Sequence, residues 1–419
     1  MDLVFNFTLA ISIVIALVHL KKTGDYANPS SLILVFFVIP LVANRFQLSG
    51  LTADVWLDET YLVICYFLIF FIIIPSLVVL FREQRYSILK VEKVSKKIKI
   101  NKIFLIFMVI FSIVTQFILN KVASGYFFPI LNMHQIGSGY HVATIPIVGI
   151  FFVVSWYFTV VLMYVKARQA NIVLYYIIFF IILCLPLIRL ARFDLINVLF
   201  MIFILSLVES KRPGKLIIKL SALTSALFVL GAMVATYRWS QAGLHEVSFS
   251  KIIDFNVYAG PMDVFAFLYA YFPLSFENID RFIIKNLEHW DYAYGAFSTR
   301  PIGVGLLKLH YFDGFPFTQH FNEMRDPLIG VATVSTVIPA FTVDFGVYLS
   351  FIPMALYSGI GLYLYLKSRG SIHFFILYLF YSTSYIMSSF QNTFIQANFI
   401  YLLILYVSAV KLKAIRFNR

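Results

Sequence analysis

The sequence predicts an all-α, polytopic membrane protein, and its composition and its apolar runs both indicate this class. Apolar residues make up 61% of the 419 positions and charged residues only 13%, which is about half the charged share of a typical soluble domain. Several apolar runs reach the roughly 18 to 20 residues that a helix needs to cross a bilayer. Because a backbone in lipid must satisfy its hydrogen bonds internally, we expect these runs to be helices.

The apolar runs divide the chain into about eleven predicted spans. In chain order they cover residues 3–20, 31–49, 60–81, 103–120, 142–165, 171–188, 194–208, 216–236, 346–366, 371–389 and 394–410. The predicted organisation is therefore eight helices within 1–236, a large extracytoplasmic loop at 237–345 between helices 8 and 9, and three helices with a basic tail within 346–419.

The basic residues indicate the orientation of these spans. With the N-terminus outside and the C-terminus cytoplasmic, the inner segments hold 22 of the 33 basic residues, as the positive-inside rule requires. The outer connection that carries Asp54, Asp58 and Glu59 is acidic. We therefore assign the net charge of +13 to membrane topology and predict no nucleic-acid partner.

The loop between helices 8 and 9 concentrates the titratable groups. It holds eleven of the 20 acidic residues and four of the eight histidines. Runs such as "VYAGPMDVFAFLYAYFPLSF" predict helices that lie on the bilayer surface. We find no internal repeat and no pair of broken helices in two halves, and this absence counts against an inverted-repeat transporter.

Several arginines are predicted at the outer membrane level. "PLIRLARFD" places Arg189 and Arg192 in an outer turn, and Arg238 follows the eighth span; Arg45 joins them if the second span is drawn correctly. A guanidinium near hydrocarbon needs a partner, and its fork of donors matches diphosphate oxygens. We therefore predict diphosphate binding by Arg189, Arg192 and Arg238, with snorkelling or an ion pair with Asp194 as the alternative.

The loop segment "HFNEMRDP" is a second candidate site. His320 or Glu323 is predicted as a general base toward a sugar hydroxyl, with Arg325 holding an anionic group; the alternative is a solvated loop face. The segment lacks the second histidine of a zinc-protease signature, and the chain has no Asp-x-Asp pair for a metal-bound nucleotide-sugar donor. We predict neither a metal nor another cofactor.

The segment "TVSTVIPAFTVDFG", at 333–346, keeps Asp344 close to the ninth span. No Gly-rich phosphate loop and no "HRD" accompany its "DFG" triplet, so a kinase is excluded. One interpretation is an aspartate that caps the ninth helix, with Gly346 allowing close backbone approach.

The layout and two local stretches resemble the oligosaccharide repeat-unit polymerases, also called O-antigen polymerases of the Wzy type. That family often shows Asn-x-x-Thr, a short spacer and Asp-Phe-Gly entering the helix after its large loop. Here Thr336 and Asp344 stand in register, with Thr333 where the family often has asparagine. "LARFDLINVLFMIFI" resembles the family's arginine before an apolar helix, and Arg238 resembles the arginine that begins the large loop.

This resemblance implies a glycosyltransferase on the outer face of the plasma membrane. Its donor and acceptor are oligosaccharides linked to a polyprenyl diphosphate, its product is O-antigen, capsule or exopolysaccharide, and a chain-length regulator is a further partner. The resemblance implies arginines on the diphosphate, an acid or histidine at the acceptor hydroxyl, and Tyr258, Trp239 and Trp290 against sugar rings. We expect Asp344 to orient the loop's end against the arginines or to act as the base. A ligase using the same lipid carrier and a flippase or other transporter remain as alternatives.

Overall fold

The structure, a computed structural model, describes residues 1–81, 98–129, 148–188, 192–210, 213–216, 249–256, 264–288, 290, 292–294, 336–389 and 398–417. The chain divides into two compact units. Unit 1 comprises Met1–Leu89 and Val247–Gln396, and unit 2 comprises Lys90–Glu246 and Ala397–Arg419.

The described residues are mostly helical. In chain order the elements are α1 (Asp2–Thr23), α2 (Pro29–Asn44), α3 (Asp58–Phe81), β1 (Ile98–Ile100), α4 (Lys102–Ser124), α5 (Val148–Ala170), α6 (Val173–Ile188), α7 (Arg192–Glu209), α8 (Phe249–Ile252), α9 (Val264–Tyr271), α10 (Glu277–Asn286), α11 (Ile338–Thr342), α12 (Phe351–Ser368), α13 (Ile372–Ile386), α14 (Asn398–Lys411) and β2 (Ile415–Phe417). A short 3₁₀ turn, Pro273–Ser275, precedes α10.

Four helical stretches within the described residues are long and apolar enough to cross a membrane. They are α1, α3, Lys102–Val122 of α4 and Phe151–Ala170 of α5. Shorter apolar helices are α2, Val173–Pro186 of α6, α13 and α14. This architecture is consistent with a polytopic membrane protein. Most of the predicted eighth span, from residue 217 onward, lies outside the described residues.

Local sequence signals explain where several helices begin and end. α1 ends at Gly24, which adopts φ 63° and donates its N–H to the carbonyl of Leu20; a left-handed conformation of this kind costs glycine little. The side chain of Asn101 caps α4 by accepting the N–H of Ile103 at 2.9 Å. These signals are local to each helix end; the predicted spans 3–20 and 103–120 nevertheless end three and four residues before α1 and α4 do.

Prolines explain the π-helical turns within α2 and α3. The turns Leu34–Val38 and Ile69–Ile73 immediately precede the helical segments that carry Pro40 and Pro75. A proline inside a helix lacks an N–H and clashes with the carbonyl four residues earlier, so the preceding turn widens. Both helices continue through their proline rather than ending there.

Unit 1 is built on close packing among α1, α2, α3, α12 and α13. Phe67 lies between Phe37 and Phe71, with ring centroids 4.3 Å and 4.4 Å away. α12 and α13 approach each other at Gly361, where an added Cβ would overlap the hydroxyl of Tyr385. A small residue therefore sets the separation of these two helices, as is common between membrane helices.

Unit 2 is built around α5, which packs against α4, α6, α7 and α14. Buried polar contacts join the helices: Ser112 on α4 donates to Thr159 on α5 at 2.8 Å. The indole N–H of Trp156 on α5 donates to the carbonyl of Ile182 on α6 at 2.7 Å. Hydrogen bonds between helices satisfy these groups where water is excluded.

A two-stranded antiparallel ribbon departs from the purely helical prediction. β1 pairs with β2 in the register Ile98 to Phe417, Lys99 to Arg416 and Ile100 to Ile415. β1 precedes α4 and β2 belongs to the tail that the sequence analysis treated only as a basic cytoplasmic segment. The alternation of apolar and basic residues in "IKI" and "IRF" has the period of a half-buried strand, but runs this short carry little predictive weight.

Candidate functional site

Within unit 1, the loops that were predicted outside lie together at one end of α1. The amino group of Met1 contacts Asp58 at 3.3 Å, and Arg45 contacts Asp2 at 3.3 Å. At the other end of α1, Lys22 donates to the carbonyl of Leu80 at 3.1 Å. The candidate site of unit 1 lies at the end of α1 that carries Met1 and Asp2, and we call this end the outer end.

Asp344 lies in a buried turn between α11 and α12. Its side chain has no solvent exposure. The carbonyl of Asp344 accepts the N–H of Tyr294 at 3.1 Å, and that of Val343 accepts the N–H of Ala293 at 3.1 Å. Two backbone hydrogen bonds thus fix this turn to residues 293–294, in the middle of the large loop.

The interpretation of Asp344 as a helix cap is wrong. α12 begins at Phe351, five residues later than the predicted start of the ninth span, and its N-cap position is Ser350. The expected close approach at Gly346 is confirmed. This glycine adopts φ 72°, and an added Cβ would stand 3.1 Å from the ring of Tyr292.

The α10 helix contributes a buried carboxylate that the sequence analysis did not single out. Glu277 is only 3% exposed. It accepts Asn44 Nδ2 at 2.9 Å, Trp56 Nε1 at 3.0 Å and the N–H of Ala53 at 3.2 Å. Burial, together with the nearby charge of Asp280, raises the pKa of the Glu277 carboxyl although these hydrogen bonds oppose the shift.

A second buried carboxylate lies one turn further along α10. Oδ1 of Asp280 accepts the hydroxyl of Thr60 at 2.6 Å and the N–H of Leu57 at 2.9 Å. Glu277 and Asp280 therefore anchor α10 to the connection between α2 and α3. The spacing of "ENID" places both acids on one helix face. This amphipathic pattern is the sequence signal from which the pair of acids could have been predicted to act together.

Arg45 lies at the outer end, just after the last residue of α2, so this helix ends five residues before the predicted end of the second span. Its guanidinium is 5.3 Å from the ring of Trp56 and 5.8 Å from that of Tyr61, and it also contacts Asp2. These aromatic and acidic neighbours stabilise the half-buried guanidinium of Arg45.

In unit 2, Arg192 is the first residue of α7. Asp194, in the same first turn, accepts the hydroxyl of Tyr157 at 2.7 Å. Asn197 donates to that hydroxyl at 3.3 Å, and its own Oδ1 is buried without a hydrogen bond in the described part of the chain. Asp194, Asn197 and Tyr157 therefore form a polar cluster at the start of α7. Of these three residues, only Asp194 was named in the sequence-based prediction.

The other predicted site residues lie outside the described residues: Arg189, Arg238, His320, Glu323 and Arg325, together with Tyr258 and Trp239. Of the seven predicted catalytic and diphosphate-binding residues, Asp344 belongs to unit 1 and Arg192 to unit 2. Trp290 packs against Phe282 with ring centroids 5.8 Å apart. In the described part of the chain, no group of three His, Cys, Asp or Glu side chains is arranged to hold a metal ion.

These arrangements offer two kinds of chemistry. A buried carboxylate such as Asp344 can accept a proton or orient a neighbouring donor. The start of a helix, as at Arg192 in α7, is a place where backbone N–H groups can bind an anion. Comparison with known protein families, curated proteins and solved structures found no match.

Proposed function

We propose that this protein polymerises oligosaccharide repeat units carried on a polyprenyl diphosphate, at the outer face of the plasma membrane, through about eleven spans. The product is a surface polysaccharide such as O-antigen, capsule or exopolysaccharide. The observation that carries the proposal is Asp344, a carboxylate without solvent exposure in the segment that resembles the repeat-unit polymerases. An acid kept beside a membrane helix is costly, and such residues are usually functional.

The proposed reaction needs an anion site and a group that handles a proton. The growing glycan leaves its lipid diphosphate, and the hydroxyl of a new lipid-linked unit forms the glycosidic bond. Arg189, Arg192 and Arg238 stabilise the charge that develops on the departing diphosphate. Asp344 orients the end of the loop or takes the hydroxyl proton.

The loop segment supplies the remaining proposed residues. His320 and Glu323 are the further candidates for the general base, since either can accept a hydroxyl proton near neutral pH when suitably placed. Arg325 binds an anionic group of the substrate. No metal is required in this scheme, because arginines provide the positive charge and a lipid-linked diphosphate is already a competent leaving group.

Deleting the gene in its own host tests this function even when the sugar composition of the glycan has not been determined. The surface glycan is separated on a gel, and lipid-linked intermediates are extracted in parallel. A ladder that collapses to a single repeat unit on its normal acceptor supports the polymerase. Polymer retained on the lipid carrier contradicts the proposal in favour of a ligase, and single units on the inner leaflet contradict it in favour of a flippase.

A further inference from the structure

The outward face of the β1–β2 ribbon carries two like charges in direct register. Lys99 lies opposite Arg416, and both side chains are exposed. Directly opposed residues of an antiparallel pair have Cβ atoms about 4.5 to 5.5 Å apart, and like charges at that separation destabilise the pairing. The ribbon forms nonetheless, so this face is suited to a negative group that neutralises both cations.

Three further exposed lysines lie next to the ribbon in sequence. Lys102 begins α4, and Lys411 and Lys413 stand at and just after the end of α14. Together with Lys99 and Arg416, these lysines make a group of five basic side chains. Within the described residues, none of the five has a hydrogen bond or an ion pair. Glu209, at the end of α7, is already paired with Arg168 at 3.4 Å. We call these five residues the basic ribbon patch.

Exposed apolar residues adjoin the basic ribbon patch. Ile103 is 79% exposed and Leu412 is 77% exposed; Ile103 lies in the first turn of α4, and Leu412 directly follows the last residue of α14. The opposite face of the ribbon is buried through Ile98, Ile100 and Ile415. A surface that combines free cations with exposed aliphatic side chains at helix ends has the character of a membrane interface.

We propose that the basic ribbon patch binds the headgroup phosphate of an anionic phospholipid, and that this lipid stabilises the pairing of the C-terminal tail with β1. A lipid is favoured over a free phosphate ion because Ile103 and Leu412 offer its acyl chains an apolar surface beside the cations. The inference does not depend on the proposed polymerase activity.

The full chain, reconstituted in nanodiscs of phosphatidylcholine with or without phosphatidylglycerol, tests this inference. We expect phosphatidylglycerol to raise the Tm of the wild type and to be retained in native mass spectrometry. Each basic residue near an anionic surface increases binding roughly fivefold. The double variant Lys99→Gln, Arg416→Gln should therefore lower phosphatidylglycerol retention by about 25-fold.

A charge exchange and a matched control separate the ribbon from general surface charge. Lys99→Glu supplies Arg416 with an opposite charge, so this variant should have a higher Tm in phosphatidylcholine alone and a reduced response to phosphatidylglycerol. Lys21→Gln with Lys215→Gln removes two exposed basic residues elsewhere and should keep the wild-type response. Equal retention by the two double variants would overturn the proposal. So would inorganic phosphate raising the Tm as much as the lipid does.

Discussion

Replacing Glu277 by alanine should destabilise the outer end of unit 1 more than any change at an exposed acid. The wild-type carboxylate accepts three hydrogen bonds, from Asn44, Trp56 and Ala53. Glu277→Ala leaves those donors without their acceptor in a buried position, at a cost of about 1 to 3 kcal/mol each. Partial relaxation reduces the sum, so we expect a loss of about 3 to 5 kcal/mol.

Thermal unfolding of the purified full chain measures this effect. A loss of 3 to 5 kcal/mol corresponds to a Tm lower by roughly 10 °C for a unit of this size. Glu288 is exposed, near the end of the same segment, so Glu288→Gln serves as the control and should change stability by less than about 0.5 kcal/mol. If the alanine and control variants have the same Tm, the anchoring role assigned to Glu277 is refuted.

The same anchor should depend on pH in a defined direction. Burial raises the pKa of Glu277 above its ordinary value, so the folded state binds this proton more readily than the unfolded state. Its contribution to stability is therefore full below the ordinary glutamate pKa and is lost as the pH rises through the raised folded pKa. Glu277→Gln has no titrating group at this position, so the Tm of the wild type relative to that of Glu277→Gln should fall as the pH rises across this window. A wild-type Tm that rises relative to Glu277→Gln over the same window would contradict the assignment.

The remaining predictions concern helix packing and the proposed reaction. Gly361→Ala should lower the Tm because the new methyl group overlaps Tyr385, whereas Gly359→Ala meets no atom within 4 Å and should match or exceed the wild type; equal Tm values would refute the packing argument. Asp344→Asn should reduce polymer formation by about 100-fold or more, and normal polymer length would exclude its proposed role. Arg192→Ala and Arg238→Ala should each abolish polymer at normal protein level, and polymerisation by both would remove the diphosphate site.

The long apolar helices were predictable because their signals are local. Apolar runs predicted the four long apolar helices of the described residues, and turn residues such as Gly24 and Asn101 explain where α1 ends and α4 begins. Contacts between distant segments were not predictable in this way. Asn44 and Glu277 are separated by 233 residues, and neither hydrophobic period nor residue type indicates that they pair. The three-residue strands of the ribbon are likewise stabilised by a partner more than 300 positions away.

The candidate site was predictable only in part, for the same reason. Arg192 and Asp344 were predicted as site residues because charged residues beside membrane helices are costly. The burial of Asp344 in a turn, rather than at a helix cap, depends on backbone contacts with residues about 50 positions earlier. The cluster of Tyr157 and Asn197 around Asp194 depends on the packing of α7 against α5, which one sequence does not encode as a pattern.

The proposed reaction is tested most directly with the purified full chain and lipid-linked repeat units extracted from a strain that lacks the gene. The assay contains no nucleotide sugar and includes a metal chelator. We predict a ladder of longer lipid-linked glycans, with free polyprenyl diphosphate released in step with each added unit and both products lost in Asp344→Asn. Lipid-linked units that remain unchanged, with a wild-type protein that still unfolds cooperatively on heating, would contradict the account.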